Sequence, residues 1–239
     1  MNKLTIGWAY PDILNLHGER GSVQALVRAA ENLGLEAELL RVEDFDDEIP
    51  FDALDLLVFL PGELKTLAVI REALRPQEEK LRAYVENGGT LVAIGTSGMI
   101  FGKTITRLDG SEIRGFGVLD LNAKERKYVF GDDLHLRIRE NGQELIGCQI
   151  MMADVEAAAP FGQVLYGRGN DGSGAEGARY RNLIYTNCLG PLFVKNPWFA
   201  EDLIRQLRPQ WRDLAPKSAN ELARASFDTT LKFIASKRR

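Results

Sequence analysis

Few residues in this chain are equipped for covalent or acid–base chemistry. There are two histidines, His17 and His135, and two cysteines, Cys148 and Cys188. Two cysteines build no disulfide framework, and these four residues are not spaced as zinc ligands. Any Cys–His or Ser–His pair must therefore use one of two imidazoles. Ser97 has the best setting for a nucleophile. It lies in Ile94-Gly95-Thr96-Ser97-Gly98-Met99, where a buried parallel strand gives way to a helical turn. The hydrolase pattern G-x-S-x-G fails there, because Met99 occupies the place of its second glycine. Ser97 reads as a turn or cap residue that needs a base to react. His17 follows the first strand and reads as a surface hydrogen-bonding group, with an anion or substrate contact as the alternative. His135 alternates within a strand and is expected to face solvent. Cys188, in TNCLGP, has no cation or histidine beside it to lower its thiol pKa and reads as a small buried residue. Cys148 reads as core.

Two further patterns carry little chemistry. Gly167-Arg168-Gly169-Asn170-Asp171-Gly172 matches G-x-G-x-x-G. A pyrophosphate site needs that motif after the first strand and at the mouth of a helix. Here it follows a late strand and leads into SGAEGARYRN, which has no helical apolar face, so it reads as a glycine-rich loop. The acidic run at 43–48, EDFDDE, reads as a solvated loop rather than a metal site, because like charges repel and prefer water.

The elements that must position these residues follow from periodicity. Residues 4–9, 35–42, 54–60 and 90–94 are apolar runs of strand length. Between them Val23, Leu26, Val27, Ala30 and Leu33 mark one helical face, and Leu81, Tyr84 and Val85 mark another, stopped by Gly88-Gly89. Alternation of this kind predicts an α/β fold: a doubly wound, mostly parallel sheet with right-handed crossovers and helices on both faces. The second half changes character. Residues 104–108 with Asp109-Gly110 predict a β-hairpin, residues 134–140 a half-exposed strand, 183–186 a late strand and 196–207 a late helix. A helix at 218–237, with Phe227, Leu231 and Ile234 in step, extends the chain. The expected organisation is one domain over 1–208 and a C-terminal helical extension over 209–239.

The 239 residues are 45% hydrophobic and 27% charged, with a formal net charge of −4. Nonspecific nucleic-acid binding through a basic surface is not favoured. No apolar stretch reaches the roughly 20 residues of a membrane span, and the N-terminus lacks the apolar core of a signal peptide. The cytoplasm is the expected compartment, with both cysteines reduced.

The strand order, the LNLHGERGS loop, the GRGND…EGARYRN segment and the TNCLGPLFVKNPWFAEDLI segment give a resemblance. Over roughly residues 4–206 the chain resembles the class I glutamine amidotransferases of the cobyric acid synthase type. Within them it is most similar to the stand-alone subunits that pair with a Mur-ligase-like protein to amidate the glutamate of the lipid II stem peptide. The resemblance implies a cysteine nucleophile after a central strand, a histidine base, and a glycine-rich loop whose N–H groups hold the oxyanion. Matched outward from Gly102-Lys103, the nucleophile's place falls on Gly95. Matched outward from Gly190-Pro191, the histidine's place falls on Leu189. The oxyanion loop falls on Leu60-Pro61-Gly62-Glu63, where Pro61 supplies no N–H. The arginine near the glutamine carboxylate falls on Tyr128. Gly62, Ser97 and Tyr128 are then the expected substrate contacts, and no catalytic residue, metal or cofactor is implied. The resulting expectation is an amidotransferase-like subunit that does not hydrolyse glutamine and that docks on a Mur-ligase-like partner. Two alternatives stand beside it: a rebuilt hydrolase with Ser97 or Thr96 as nucleophile and His17 as base, and a binding module whose vacated glutamine pocket takes a small ligand.

Overall fold

The computed structural model describes residues 2–237. The first half runs β1 (Lys3–Ala9), α1 (Arg20–Asn32), β2 (Glu36–Val42), β3 (Leu56–Phe59), α2 (Leu67–Leu74), α3 (Glu78–Glu86) and β4 (Thr90–Ile94). The second half adds β5 (Thr104–Thr106), β6 (Glu112–Arg114), β7 (Leu121–Ile138), β8 (Glu144–Ala157), β9 (Gly162–Tyr166), β10 (Ala175–Glu176), β11 (Ala178–Tyr180) and β12 (Leu183–Thr186). Helices α4 (Leu192–Lys195), α5 (Pro197–Leu207) and α6 (Glu221–Lys237) complete it.

The first sheet has the order β11-β12-β4-β3-β1-β2. Its strands from β2 to β12 are parallel, and β11 alone is antiparallel. This is the doubly wound arrangement that the alternation predicts. β3, β4 and β12 are buried along their whole length, as strands sandwiched between helix layers must be. α1 buries Val23, Leu26, Ala29 and Ala30 on the predicted stripe. The strand order reverses between β1 and β3, and the crevice at such a reversal, outside the carboxyl ends of the strands, is where these folds hold ligands. The loops after β1, β3, β4 and β12 all emerge there.

The second half is more extensive than a hairpin with isolated strands. β5 and β6 form the expected hairpin, but they belong to a second six-stranded sheet, β10-β9-β7-β5-β6 with β8 paired to β7. β7 runs 18 residues, far beyond the predicted 134–140. Its register with β8 shifts between Glu125 and Phe130, so that residues 126–129 stand against Met152 alone. That bulge breaks the alternation, which explains why the sequence does not read as one strand.

His135 corrects an expectation. It is buried, not solvent-facing. Its Nε2 lies 2.9 Å from Glu144 Oε2, and Phe227 of α6 meets the ring edge-on with centroids 6.4 Å apart. α6 docks over this face through buried Phe227 and Ile234, with Trp198 against Phe227 and Lys237 Nζ on Asp133 at 2.8 Å. Among the described residues no helix is long and apolar enough to cross a membrane.

The turn after β4 is a tight 3₁₀ segment, Gly95–Phe101, buried at every residue. Gly98 permits its approach to β12: a Cβ there would lie 2.0 Å from the Tyr185 ring. Neither the turn nor the ring can retreat from a close-packed core. Gly98→Ala is expected to destabilise the fold by about 2 kcal/mol or more, read as a lowered denaturant midpoint at unchanged m-value. An unchanged midpoint would contradict this packing.

Candidate functional site

The carboxyl ends of β3, β4 and β12 are neighbours in the sheet, so the segments that follow them converge. Gly95, the first residue after β4, has φ +67°, the left-handed turn of a nucleophile elbow. A Cβ on Gly95 would lie 2.8 Å from Pro61 Cβ and 3.4 Å from Leu189 Cδ2. Pro61 follows β3, and Leu189, fully buried, follows β12. The two side chains occupy the space into which a side chain at residue 95 would project. Leu189 is held there by paired backbone bonds with Cys148 of β8, at 2.8 and 2.9 Å.

The backbone donors at this edge are also engaged. Gly62 N–H donates to Thr96 Oγ1 at 3.0 Å, and Thr96 Oγ1–H donates back to the Gly62 carbonyl at 2.5 Å. One threonine thus ties the loop after β3 to the turn after β4 by both backbone groups. The loop after β1 closes over them, with Leu16 N–H donating to the Pro61 carbonyl at 2.9 Å.

The sequence and the fold are similar to those of known proteins. No family model matches the chain. It is 25% identical over 213 residues to the lipid II isoglutaminyl synthase (glutamine-hydrolyzing) subunit GatD of Streptococcus pneumoniae, covering 84% of this chain and 79% of that one. The subunit of the same name from Staphylococcus aureus is 26% identical over 198 residues, covering 82% and 81%. A crystal structure of a glutamine amidotransferase superimposes with a TM-score of 0.54 at 16% identity, covering 84% of this chain and 98% of that one. The chain is a glutamine amidotransferase-like protein. The structure of PurLQS from Thermotoga maritima shares the fold, with a TM-score of 0.58 at 13% identity, covering 86% and 100%.

In this amidotransferase-like fold, the sequence-derived positions separate into two groups. Gly62, Gly95, Thr96 and Leu189 come together. Ser97 is close by but fully buried, its Oγ 3.2 Å from the Ile94 carbonyl and 3.3 Å from the Phe59 carbonyl. Among the described residues neither Ser97 nor Thr96 bonds to a base. His17 sits in the covering loop, exposed, with φ +61°, and partial desolvation lowers its imidazole pKa. Tyr128 is not brought to the edge. It is 72% exposed on the bulge of β7, where its ring meets Lys127. Cys188 is wholly buried, and burial pushes its thiol well above the usual range. Cys148 is only half-buried rather than core, and burial raises its pKa too. The G-x-G-x-x-G segment is a closed loop: Arg168 and Gly169 N–H both donate to Gln149 Oε1. Open grooves lie elsewhere, one of about 900 Å³ between α1 and residues 217–223 and one of about 580 Å³ beside Tyr84.

Two residues of the site escape sequence reasoning. Glu19, fully buried, accepts Gly190 N–H at 2.6 Å, Leu192 N–H at 3.2 Å and the Ser22 hydroxyl at 2.8 Å. Glu176, also fully buried, accepts Asn187 N–H at 2.6 Å and the Thr186 hydroxyl at 3.0 Å. These carboxylates clamp the segment after β12 from both ends and hold Leu189 in place. In sequence each is an ordinary Glu beside glycines. Only the tertiary burial distinguishes them.

Burial pushes the Glu176 carboxyl up to about 7, against the lowering effect of its two donors. Its unfolded counterpart loses its proton near 4.5. Between those values the native state holds more protons than the unfolded state, so stability falls as pH rises through this window and is level above it. The fall from Glu176 is about 3 kcal/mol. Burial raises Glu19 as well, in the same direction. Glu176→Gln is expected to reduce the loss of Tm between pH 5 and 7 and to stabilise the protein at pH 8. An unchanged Tm–pH slope would contradict it.

Proposed function

We propose that this chain is the amidotransferase-like subunit of a two-component enzyme of cell-wall precursor modification, working in the cytoplasm with a Mur-ligase-like partner and without glutaminase activity of its own. Similarity to two subunits named for lipid II isoglutaminyl synthase supports the subunit role. The packing of Pro61 and Leu189 against Gly95 carries the inactive reading. Glutamine hydrolysis on this scaffold needs a nucleophile, a base and an oxyanion hole. Residue 95 has no side chain, residue 189 has no proton to move, Pro61 has no N–H, and the Gly62 N–H is spent on Thr96. All three requirements go unmet at one place. The subunit then supports or regulates its ligase, which draws on free ammonia or another amine.

Purified protein incubated with glutamine, alone and with its ligase partner, is expected to release glutamate no faster than a buffer blank. Release above the blank would overturn the reading. The double variant Gly95→Cys/Leu189→His is expected to remain inert, because Pro61 and the Thr96–Gly62 pair still fill the site. It should also be less stable, since a cysteine at φ +67° costs about 1–3 kcal/mol. Activity in that variant would show that only the two side chains were missing.

A further inference from the structure

Helix α6 is long for what it buries. Of its 17 residues only Phe227 and Ile234 are buried. Its first turn hardly packs: Leu222 is 90% exposed, and the groove of about 900 Å³ lies between this end and α1. An isolated helix of this length is marginal in water, so α6 depends on a small apolar footprint. Such an element opens at lower cost than the sheets unfold.

Its two ends are held differently. The segment before it is pinned to the body. Asn32, at the end of α1, donates from Nδ2 to the Ser218 carbonyl at 3.1 Å and accepts the Ser218 N–H and hydroxyl at 3.0 and 2.9 Å. Lys217 N–H donates to the Asn32 carbonyl at 2.8 Å, and Asn220 Nδ2 donates to Glu201 at 2.9 Å. The far end is held by charge. Lys237 Nζ lies 3.2 Å from Asp132 and 2.8 Å from Asp133, and all three side chains are about a third exposed. Ion pairs this open to solvent are weak and screened by salt. Beneath the helix lies His135, 9% exposed, under the Phe227 ring and paired with Glu144. Trp198 stands alongside, with Phe227 edge-on at 5.1 Å and Arg224 of α6 4.2 Å over the indole.

We propose that α6 is a strap, hinged at residues 217–220 and clasped by Lys237 on Asp132 and Asp133, whose opening uncovers His135, Glu144 and Trp198 while both sheets stay folded. Ionic strength sets how often it opens, because salt weakens the clasp and leaves the apolar contacts of Phe227 and Ile234 in place. The strap controls access to a histidine–carboxylate pair that the amidotransferase edge does not use.

The test is carbethoxylation of the full chain by diethyl pyrocarbonate at constant pH, at low and high salt, with labelled peptides quantified by mass spectrometry. Exposed His17 is the internal standard. His135 is expected to label at less than about a tenth of the His17 rate at low salt, and about threefold faster than that at high salt. Lys237→Glu is expected to raise the His135 rate about 10-fold at low salt. It should also reverse the salt effect, because salt then screens a repulsion. Ile234→Ala should raise the rate about 30-fold at either salt. Lys232→Glu should leave it unchanged, since Lys232 is exposed on the same helix and has no ion pair among the described residues. Hydrogen exchange on the same variants should show α6 losing protection while β7 and β8 keep theirs. An unchanged His135 rate in both Lys237→Glu and Ile234→Ala would overturn the strap. Loss of protection in α6, β7 and β8 together would also overturn it, because His135 would then be reached by global unfolding.

Discussion

The contact of Pro61 and Leu189 with Gly95 is the constraint around which this molecule is arranged. β3, β4 and β12 deliver three loops to one point, and at that point an active amidotransferase must keep a cavity. Protein interiors do not keep unlined cavities cheaply. Here Pro61 and Leu189 occupy that place, and Thr96 is turned onto backbone groups of Gly62. The elbow remains: Gly95 still adopts the left-handed conformation that presents a nucleophile. The scaffold thus keeps the shape of a reactive turn while its contents form a core.

The buried carboxylates make the closure durable. Glu19 reaches from the start of α1 to the segment after β12, and Glu176 reaches it from β10. A carboxylate that accepts several N–H and O–H bonds is favoured, and its desolvation opposes it. Burial dominates in both. They therefore act as positional clamps that hold Leu189 over Gly95, at the expense of stability near neutral pH. At both carboxylates the buried polar group serves position.

Much of this was legible in the residues. The parallel sheet followed from apolar runs separated by helical stripes, and the resemblance placed Gly95, Leu189 and Gly62 at the ends of three different strands. The second sheet was harder to read. Residues 126–129 bulge out of β7, so its polar and apolar positions fall out of phase. His135 was misread because α6, almost a hundred residues later, supplies the Phe227 ring that covers it. Tyr128 was assigned to the site by sequence matching, and the same bulge carries it to the surface. Glu19 and Glu176 leave no local signal, since a Glu at a helix start or beside a glycine is ordinarily solvated. What sequence period conveys is which face is buried. What it leaves out is which distant element does the burying.

The central claim is that the amidotransferase edge, filled by Pro61 and Leu189, holds no reachable and activated nucleophile. Mass spectrometry of the intact chain after incubation with a glutamine-mimicking diazoketone tests this directly. The account predicts an unmodified mass under conditions that fully label an active glutamine amidotransferase. A stoichiometric adduct mapping to Thr96, Ser97 or Cys188 would contradict it, because each would need an open pocket and an activated nucleophile where the structure has packed side chains.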